Sequence, residues 1–246
     1  MPEHRVPISA INFCAKGGFL TKEIWSEFFF TGNSLRMQNW HWQSLIKKKY
    51  FIKHSNARLN NVYVLNRKNK SLMSLLNGNI ARTPHEGQIS HDEILLRGLL
   101  IIEKHKLMDD WTTEMLLKTF ERDTYKTMSR GKNNKFPDAI IHLNRSTEPY
   151  KVAIELELTS KDKKRYIQIL NAYSAMKDIS MILFITSSAA IQGLIRRTAE
   201  MIYFPEKKIS IGFMNLKEWK NNPVLAEVKM RTDRTFLKNI CDSNKE

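Results

Sequence analysis

The run Ile179-Ser180-Met181-Ile182-Leu183-Phe184-Ile185 constrains this chain more than any other stretch, because its seven residues include only one polar side chain. Such a run suits a central strand, covered by other elements on both faces. Before it, Tyr166, Ile169, Leu170 and Tyr173 recur at i, i+3, i+4 and i+7, one face of a helix over about 162–177. After it, 188–203 reads as a second helix and 208–216 as another strand. Strand and helix alternate, so this half of the chain is predicted to be an α/β domain.

Upstream, the same reading gives a helix over 90–106 and strands over 111–118, 138–143 and 151–158. The stretch Asn77-Gly78-Asn79-Ile80-Ala81-Arg82-Thr83-Pro84-His85-Glu86-Gly87 interrupts the periodic patterns on either side, so 77–88 is read as a linker between domains 1–76 and 89–246. In the first domain, helices are expected over 8–16, ended by Gly17-Gly18, over 21–29, and from a cap at Asn33 or Ser34 to about Lys48. Leu35, Trp42, Leu45 and Ile46 give the third helix its apolar stripe. Tyr50–His54 and Val62–Leu65 read as strands joined by a polar loop, and three helices followed by a hairpin is the order of a winged helix-turn-helix.

Charge indicates the partner. The 246 residues carry 40 Lys and Arg against 25 Asp and Glu, a formal net charge of +15, which favours a polyanion, with nucleic acid first. On the opposite side of the third helix from its apolar stripe, Arg36, Asn39, Trp40, Gln43 and Lys47 form a polar face able to pair with bases and phosphates. Arg58, Asn60 and Asn61 in the hairpin loop suit contacts to the DNA backbone. The alternative for this face is a solvated side of a core helix.

In Val152-Ala153-Ile154-Glu155-Leu156-Glu157-Leu158, the apolar Val152, Ile154, Leu156 and Leu158 share one parity while Glu155 and Glu157 share the other. One face is expected to be core and the other to carry paired negative charge, with the two Cα atoms about 6.5–7 Å apart. Asp138, opening the preceding strand, needs only an adjacent position to join them. Asp138, Glu155 and Glu157 could then supply hard oxygens to Mg2+ or Mn2+, as metal-assisted phosphodiester cleavage requires. Neighbouring carboxylates repel each other, so something cationic is expected to hold them: a metal, with Lys161 assisting. Ser90-x-x-Glu93 reads as a capping box, with Glu93 also a candidate acid and His91 a candidate general base.

Pro137-Asp138, then Glu155-Leu156-Glu157, a lysine and a helix, resembles the PD-(D/E)xK nuclease superfamily, whose core has a similar helix-strand-strand-strand-helix-strand order. The chain departs from that pattern at Glu157, which stands where the superfamily usually has lysine. The role passes to Lys161 in this reading, with Lys163 and Lys164 as alternatives. A winged helix ahead of such a core, with Ser90-His91-Asp92-Glu93, Trp111-Thr112-Thr113-Glu114 and Arg165-Tyr166 in order, further resembles the plasmid replication-relaxation proteins and the MOBC-type mobilisation relaxases. That resemblance implies a restriction-endonuclease-like core with a mixed sheet and a nick at a plasmid origin of transfer during conjugative mobilisation. It also implies an accessory mobilisation protein and a conjugation coupling protein as partners.

Rival readings are a non-catalytic DNA-binding regulator or replication protein, and a nuclease of restriction or transposon type. No two of the seven histidines are two residues apart, so a His-hydrophobe-His metal site is lacking, and Tyr125, Tyr150 and Tyr166 are left as candidate nucleophiles. Phosphate-binding, hydrolase-elbow and dinucleotide fingerprints are missing too. Cys14 and Cys241 do not form a zinc or disulfide pattern. With neither a signal-like start nor an apolar span, the expectation is a cytoplasmic protein with no membrane insertion.

Overall fold

The computed structural model describes residues 8–55, 61–120, 136–144, 150–174, 176, 178–202, 209–231 and 233–242. The chain divides into two compact units: Met1–Ser90 with Met115–Phe120, and His91–Glu114 with Glu121–Glu246.

In the first unit, α1 (Ile8–Gly17) leads into a short strand β1 (Leu20–Thr21). Gly18 makes the turn at φ +83°, and a Cβ there would lie 2.6 Å from the Arg82 carbonyl oxygen, so only glycine fits. The helix expected over 21–29 is divided. Thr21 Oγ1 caps α2 (Lys22–Ile24), and a π turn follows over Trp25–Phe29, after which Trp25 stacks on Phe30 at 4.5 Å. Ser34 Oγ accepts from the Met37 amide at the start of α3 (Leu35–Lys47). Trp42 and Leu45 of the expected stripe are buried, but Leu35 is 69% exposed, because it sits in the first turn. Strands β2 (Phe51–Lys53) and β3 (Val62–Leu65) form the hairpin, and β3 also pairs with β1, giving an antiparallel sheet ordered β1-β3-β2. The sequence reading missed β1 and a short helix, α4 (Lys70–Leu75), which Asn69 caps.

Helix α5 runs over Glu86–Lys104, starting four residues before the expected Ser90 cap. The capping box is therefore not formed: Ser90 lies within the helix, and Glu93 instead pairs with Arg97 one turn on, at 3.1 Å. The strand expected over 111–118 is β4 (Met108–Thr113) followed at once by helix α6 (Glu114–Phe120). The cause is local: Glu114-Met115-Leu116-Leu117-Lys118 consists entirely of strong helix formers.

The second unit contains a mixed sheet of seven strands, with helices. After β4 come β5 (Ala139–Leu143), β6 (Tyr150–Glu157), helix α7 (Lys163–Ser174), β7 (Met181–Thr186), helix α8 (Ala189–Ala199) and β8 (Ser210–Asn215). Strand β5 pairs antiparallel with β4 on one side and β6 on the other, while β6, β7 and β8 run parallel, α7 and α8 being the crossovers. Every residue of β7 is buried, as the opening run predicts, and each of its large apolar side chains contributes about 1.5–3 kcal/mol on burial. Beyond β8 the chain forms α9 (Leu216–Asn221), β9 (Glu227–Lys229), β10 (Arg234–Phe236) and α10 (Leu237–Asp242), completing the order β10-β9-β8-β7-β6-β5-β4. The sequence reading found nothing there. Trp219 of α9 packs so closely on α5 that a Cβ on Gly98 would meet its indole atoms at 2.1–2.5 Å, and its Nε1 donates to the Ile94 carbonyl at 3.0 Å. Among the described residues no helix is long and apolar enough to cross a membrane.

Candidate functional site

Strand β6 lies between β5 and β7, and its last six residues, Val152 to Glu157, are all buried. The face expected to carry paired negative charge is covered: Glu155 and Glu157 are each 1% exposed. Alternation along a strand says which side a residue takes; whether that side is covered depends on what packs there. Over Glu155 stands Tyr173 of α7, fully buried, whose hydroxyl donates to Glu155 Oε1. Burial, together with the negative charge of Glu155, pushes the Tyr173 hydroxyl well above its usual value and keeps it a donor.

Glu157 is the last residue of β6, and the strand does not continue to carry Lys161 at the same parity. Two bends follow, and Lys161 turns back so that its Nζ lies 2.5 and 2.6 Å from the two Glu157 oxygens. The Lys161 amide donates to Tyr166 Oη at 3.2 Å, fixing the turn against α7. Lys163, Lys164 and Arg165 are exposed in the first turn of α7, where the Arg165 amide donates to Asp162 Oδ1 at 2.7 Å.

Asp138 immediately precedes Ala139, which pairs with Ile154 across β5 and β6. Its carboxylate reaches over that strand: Asp138 Oδ2 accepts from the Leu156 amide at 2.7 Å, between the two buried glutamates in sequence. From α5, His91 meets the same place. Its Nε2 donates to the Leu156 carbonyl at 3.0 Å and lies 3.6 Å from Asp138 Oδ2, while Nδ1 donates to Asp92 Oδ1 at 3.0 Å. Burial disfavours the imidazolium, but the Asp92 hydrogen bond, the Asp138 charge and the Leu156 carbonyl outweigh it and push His91 up to about 9. In this setting the ring carries both protons near neutrality and is poised to donate one. Glu93 pairs with Arg97 on the same helix at 3.1 Å.

The donor set can be judged against a divalent cation. Asp138 and Glu155 offer carboxylate oxygens from adjoining strands, the hard chemistry that Mg2+ and Mn2+ take. Both oxygens of Glu157 are held by Lys161, and the described residues do not gather three His, Cys, Asp or Glu groups into a metal-binding cluster. The set therefore fits one ion on Asp138 and Glu155 better than one shared by all three acids.

Of the expected DNA-reading face on α3, Arg36, Gln43 and Lys47 are exposed, Trp40 is 52% exposed and Asn39 is half-buried. Arg58 and Asn60 lie outside the described residues, as does Tyr125. Asn61 Nδ2 donates to Glu23 Oε1 at 3.1 Å. Tyr150 is half-buried at the start of β6 and Tyr166 is buried. Tyr173, one of the four buried positions of α7, and Asp92 are site residues that the sequence pattern alone does not single out. A hydroxyl on the helix that follows a strand bearing buried acids was the available signal. Comparison with protein-family models, curated proteins and solved structures finds no match for this chain.

Proposed function

We propose that this chain is a metal-dependent DNA endonuclease, and that it nicks a plasmid origin of transfer as the relaxases it resembles do. The observation that carries the reading is the Asp138 carboxylate seated on the Leu156 amide, between Glu155 and Glu157 on the adjoining strand. The order α5, β4, β5, β6, α7, β7 supports it, with α6 inserted after the first strand. A first unit whose helices precede a hairpin, in a sheet ordered β1-β3-β2, supports a winged helix that delivers the site to DNA.

Asp138 and Glu155 are the residues that would hold Mg2+ or Mn2+. Bound there, the ion would supply Lewis acidity and a water of lowered pKa. Tyr173 orients Glu155 through its hydroxyl. Lys161, steadied by Glu157, has a side chain that is 37% exposed and an ammonium group that can meet a phosphate oxygen. His91 Nε2, which donates to the Leu156 carbonyl, lies 3.6 Å from Asp138 Oδ2, and the imidazolium would act as an acid for the leaving oxygen rather than as the general base expected from the sequence.

The test is a cleavage assay on supercoiled plasmids with and without a candidate transfer origin, in Mg2+, Mn2+ or EDTA. Open-circular product that needs the metal and the origin, and disappears in Asp138→Ala, is expected. Product that survives Asp138→Ala would sink the reading, and linear product would point to a restriction or transposon-type nuclease. A second reading, a DNA-binding regulator without catalysis, draws on the protein donors already placed on all three acids. Calorimetry that finds specific DNA binding but no uptake of Mn2+ would favour it.

A further inference from the structure

Between Glu27 and Glu86 the sequence carries ten Lys and Arg and not one Asp or Glu, so +10 of the net +15 falls within this stretch. The fold concentrates part of that charge. Lys47 ends α3, Lys48 and Lys49 turn the chain toward β2, and Lys49 takes φ +55° to do so. On the far side of the hairpin, Lys68 and Lys70 flank the Asn69 cap of α4.

The two turns are bonded to each other through the backbone. Asn66 Nδ2 donates to the Lys49 carbonyl at 2.9 Å, Asn69 Nδ2 donates to the Lys48 and Lys49 carbonyls at 3.3 Å each, and the Asn66 amide donates to the Tyr50 carbonyl at 2.9 Å. The same asparagines organise their own turn, since Asn66 Oδ1 accepts from the Lys68 amide at 3.1 Å and Asn69 Oδ1 from the Leu72 amide at 3.0 Å. Lys48, Lys49, Lys68 and Lys70 are thereby held on adjoining backbone, and all four are exposed.

Stability does not account for them. A lysine at the C-terminal end of a helix gains from the helix dipole, which covers Lys47 and the C-cap Lys48 but neither Lys68 nor Lys70. Lys70 is the first residue of α4, at the positive end of that dipole, where a cation is disfavoured. Among the described residues none of the four stands in an ion pair, and like charges this close repel. Fixed spacing on rigid turns is what a regular ladder of phosphates rewards, while a fluid layer of headgroups does not need it.

We propose that Lys48, Lys49, Lys68 and Lys70 form a clamp for the phosphodiester backbone of duplex DNA, continuous through Lys47 with the polar face of α3. The clamp rests on the DNA-binding part of the function proposed above and is independent of cleavage. It fixes register and orientation without reading sequence.

The test measures binding of the full-length chain to a random-sequence duplex in EDTA, across a series of KCl concentrations. The variants replace all four lysines with Gln or all four with Arg, and circular-dichroism melting checks each fold. Each phosphate contact adds about 0.9 to the slope of log K against log salt, so the Gln variant should be shallower by about three to four. The Arg variant should keep the wild-type slope. Duplex binding with an unchanged slope in the Gln variant overturns the clamp alone, as does an Arg variant as shallow as the Gln variant. Vesicles of phosphatidylserine and phosphatidylcholine serve as a second probe. If the Gln variant loses vesicle binding while its duplex slope stands, the clamp is overturned in favour of a membrane surface. If the wild type binds no duplex at all, the DNA-binding reading falls and the clamp falls with it.

Discussion

Replacing Tyr173 by Phe removes a single oxygen and leaves the ring, so packing changes little while Glu155 loses a donor. Tyr173 is 0% exposed and Glu155 1%, so bulk water cannot take over the hydrogen bond without opening the structure. A hydrogen bond to a charged acceptor contributes about 1.5–3 kcal/mol, and the isosteric change opens no large cavity. A loss of about 2 kcal/mol is therefore expected, which for a unit of about 150 residues lowers Tm by roughly 4–8 °C. Urea denaturation of Tyr173→Phe, alone and combined with Glu155→Gln, isolates the term. With Gln at 155 the acceptor is neutral and the same substitution should cost only about 0.5–1.5 kcal/mol. A cost below about 0.5 kcal/mol in the wild-type background, or equal costs in both, would refute the argument that Tyr173 supports a buried carboxylate. Because the hydroxyl is held well above its ordinary pKa, the result should not change between pH 6 and pH 9 through titration of Tyr173 itself.

The folded state raises His91 from an ordinary value of 6.5 to about 9, so His91 contributes stability that is complete below about pH 6.5 and lost as pH rises through 9. Its ceiling is about 3 kcal/mol, and denaturation in EDTA at pH 6, 7.5 and 9.5 should show a decline that His91→Gln flattens. Lys161→Gln leaves Glu157 buried without that ammonium group. Because Lys161 is 37% exposed, the cost should be about 1–2 kcal/mol by denaturant titration, below the 3–5 kcal/mol typical of a fully buried pair. Gly98→Ala drives a methyl group into the Trp219 indole and should destabilise by about 1–3 kcal/mol, with altered Trp fluorescence reporting the displaced ring.

What could be read from the sequence is what is periodic and local. The β7 run needs no partner to declare itself, and Tyr166, Ile169, Leu170 and Tyr173 are buried together because a helix of 3.6 residues per turn aligns them. Ser34 caps α3 and Ser188 caps α8, each at a helix that the sequence pattern expects. Boundaries fail where a plausible signal sits inside an element, as Ser90 does within α5, or where two elements abut with no turn residue, as at Thr113 and Glu114. The tail gave no signal because α9, β9, β10 and α10 are six residues or fewer, too short to show a period. Their places come from contacts such as Trp219 on Gly98, which join residues far apart in the chain.

The acids follow the same division. Parity along β6 puts Glu155 and Glu157 on one side, but their burial, and the different donor each receives, come from α7 and from the turn after the strand. The glutamate at 157 can then be understood physically. A lysine two residues after Glu155 would sit in the strand and be aimed by the backbone alone. Lys161 instead follows two bends, so it needs something to aim it, and Glu157 does so through both of its oxygens. The carboxylate that departs from the expected pattern is thus the anchor that returns an ammonium group to the side of the sheet where Glu155 lies. Glutamate at 157 and lysine at 161 therefore work as one unit, and replacing either alone removes the aim or the charge.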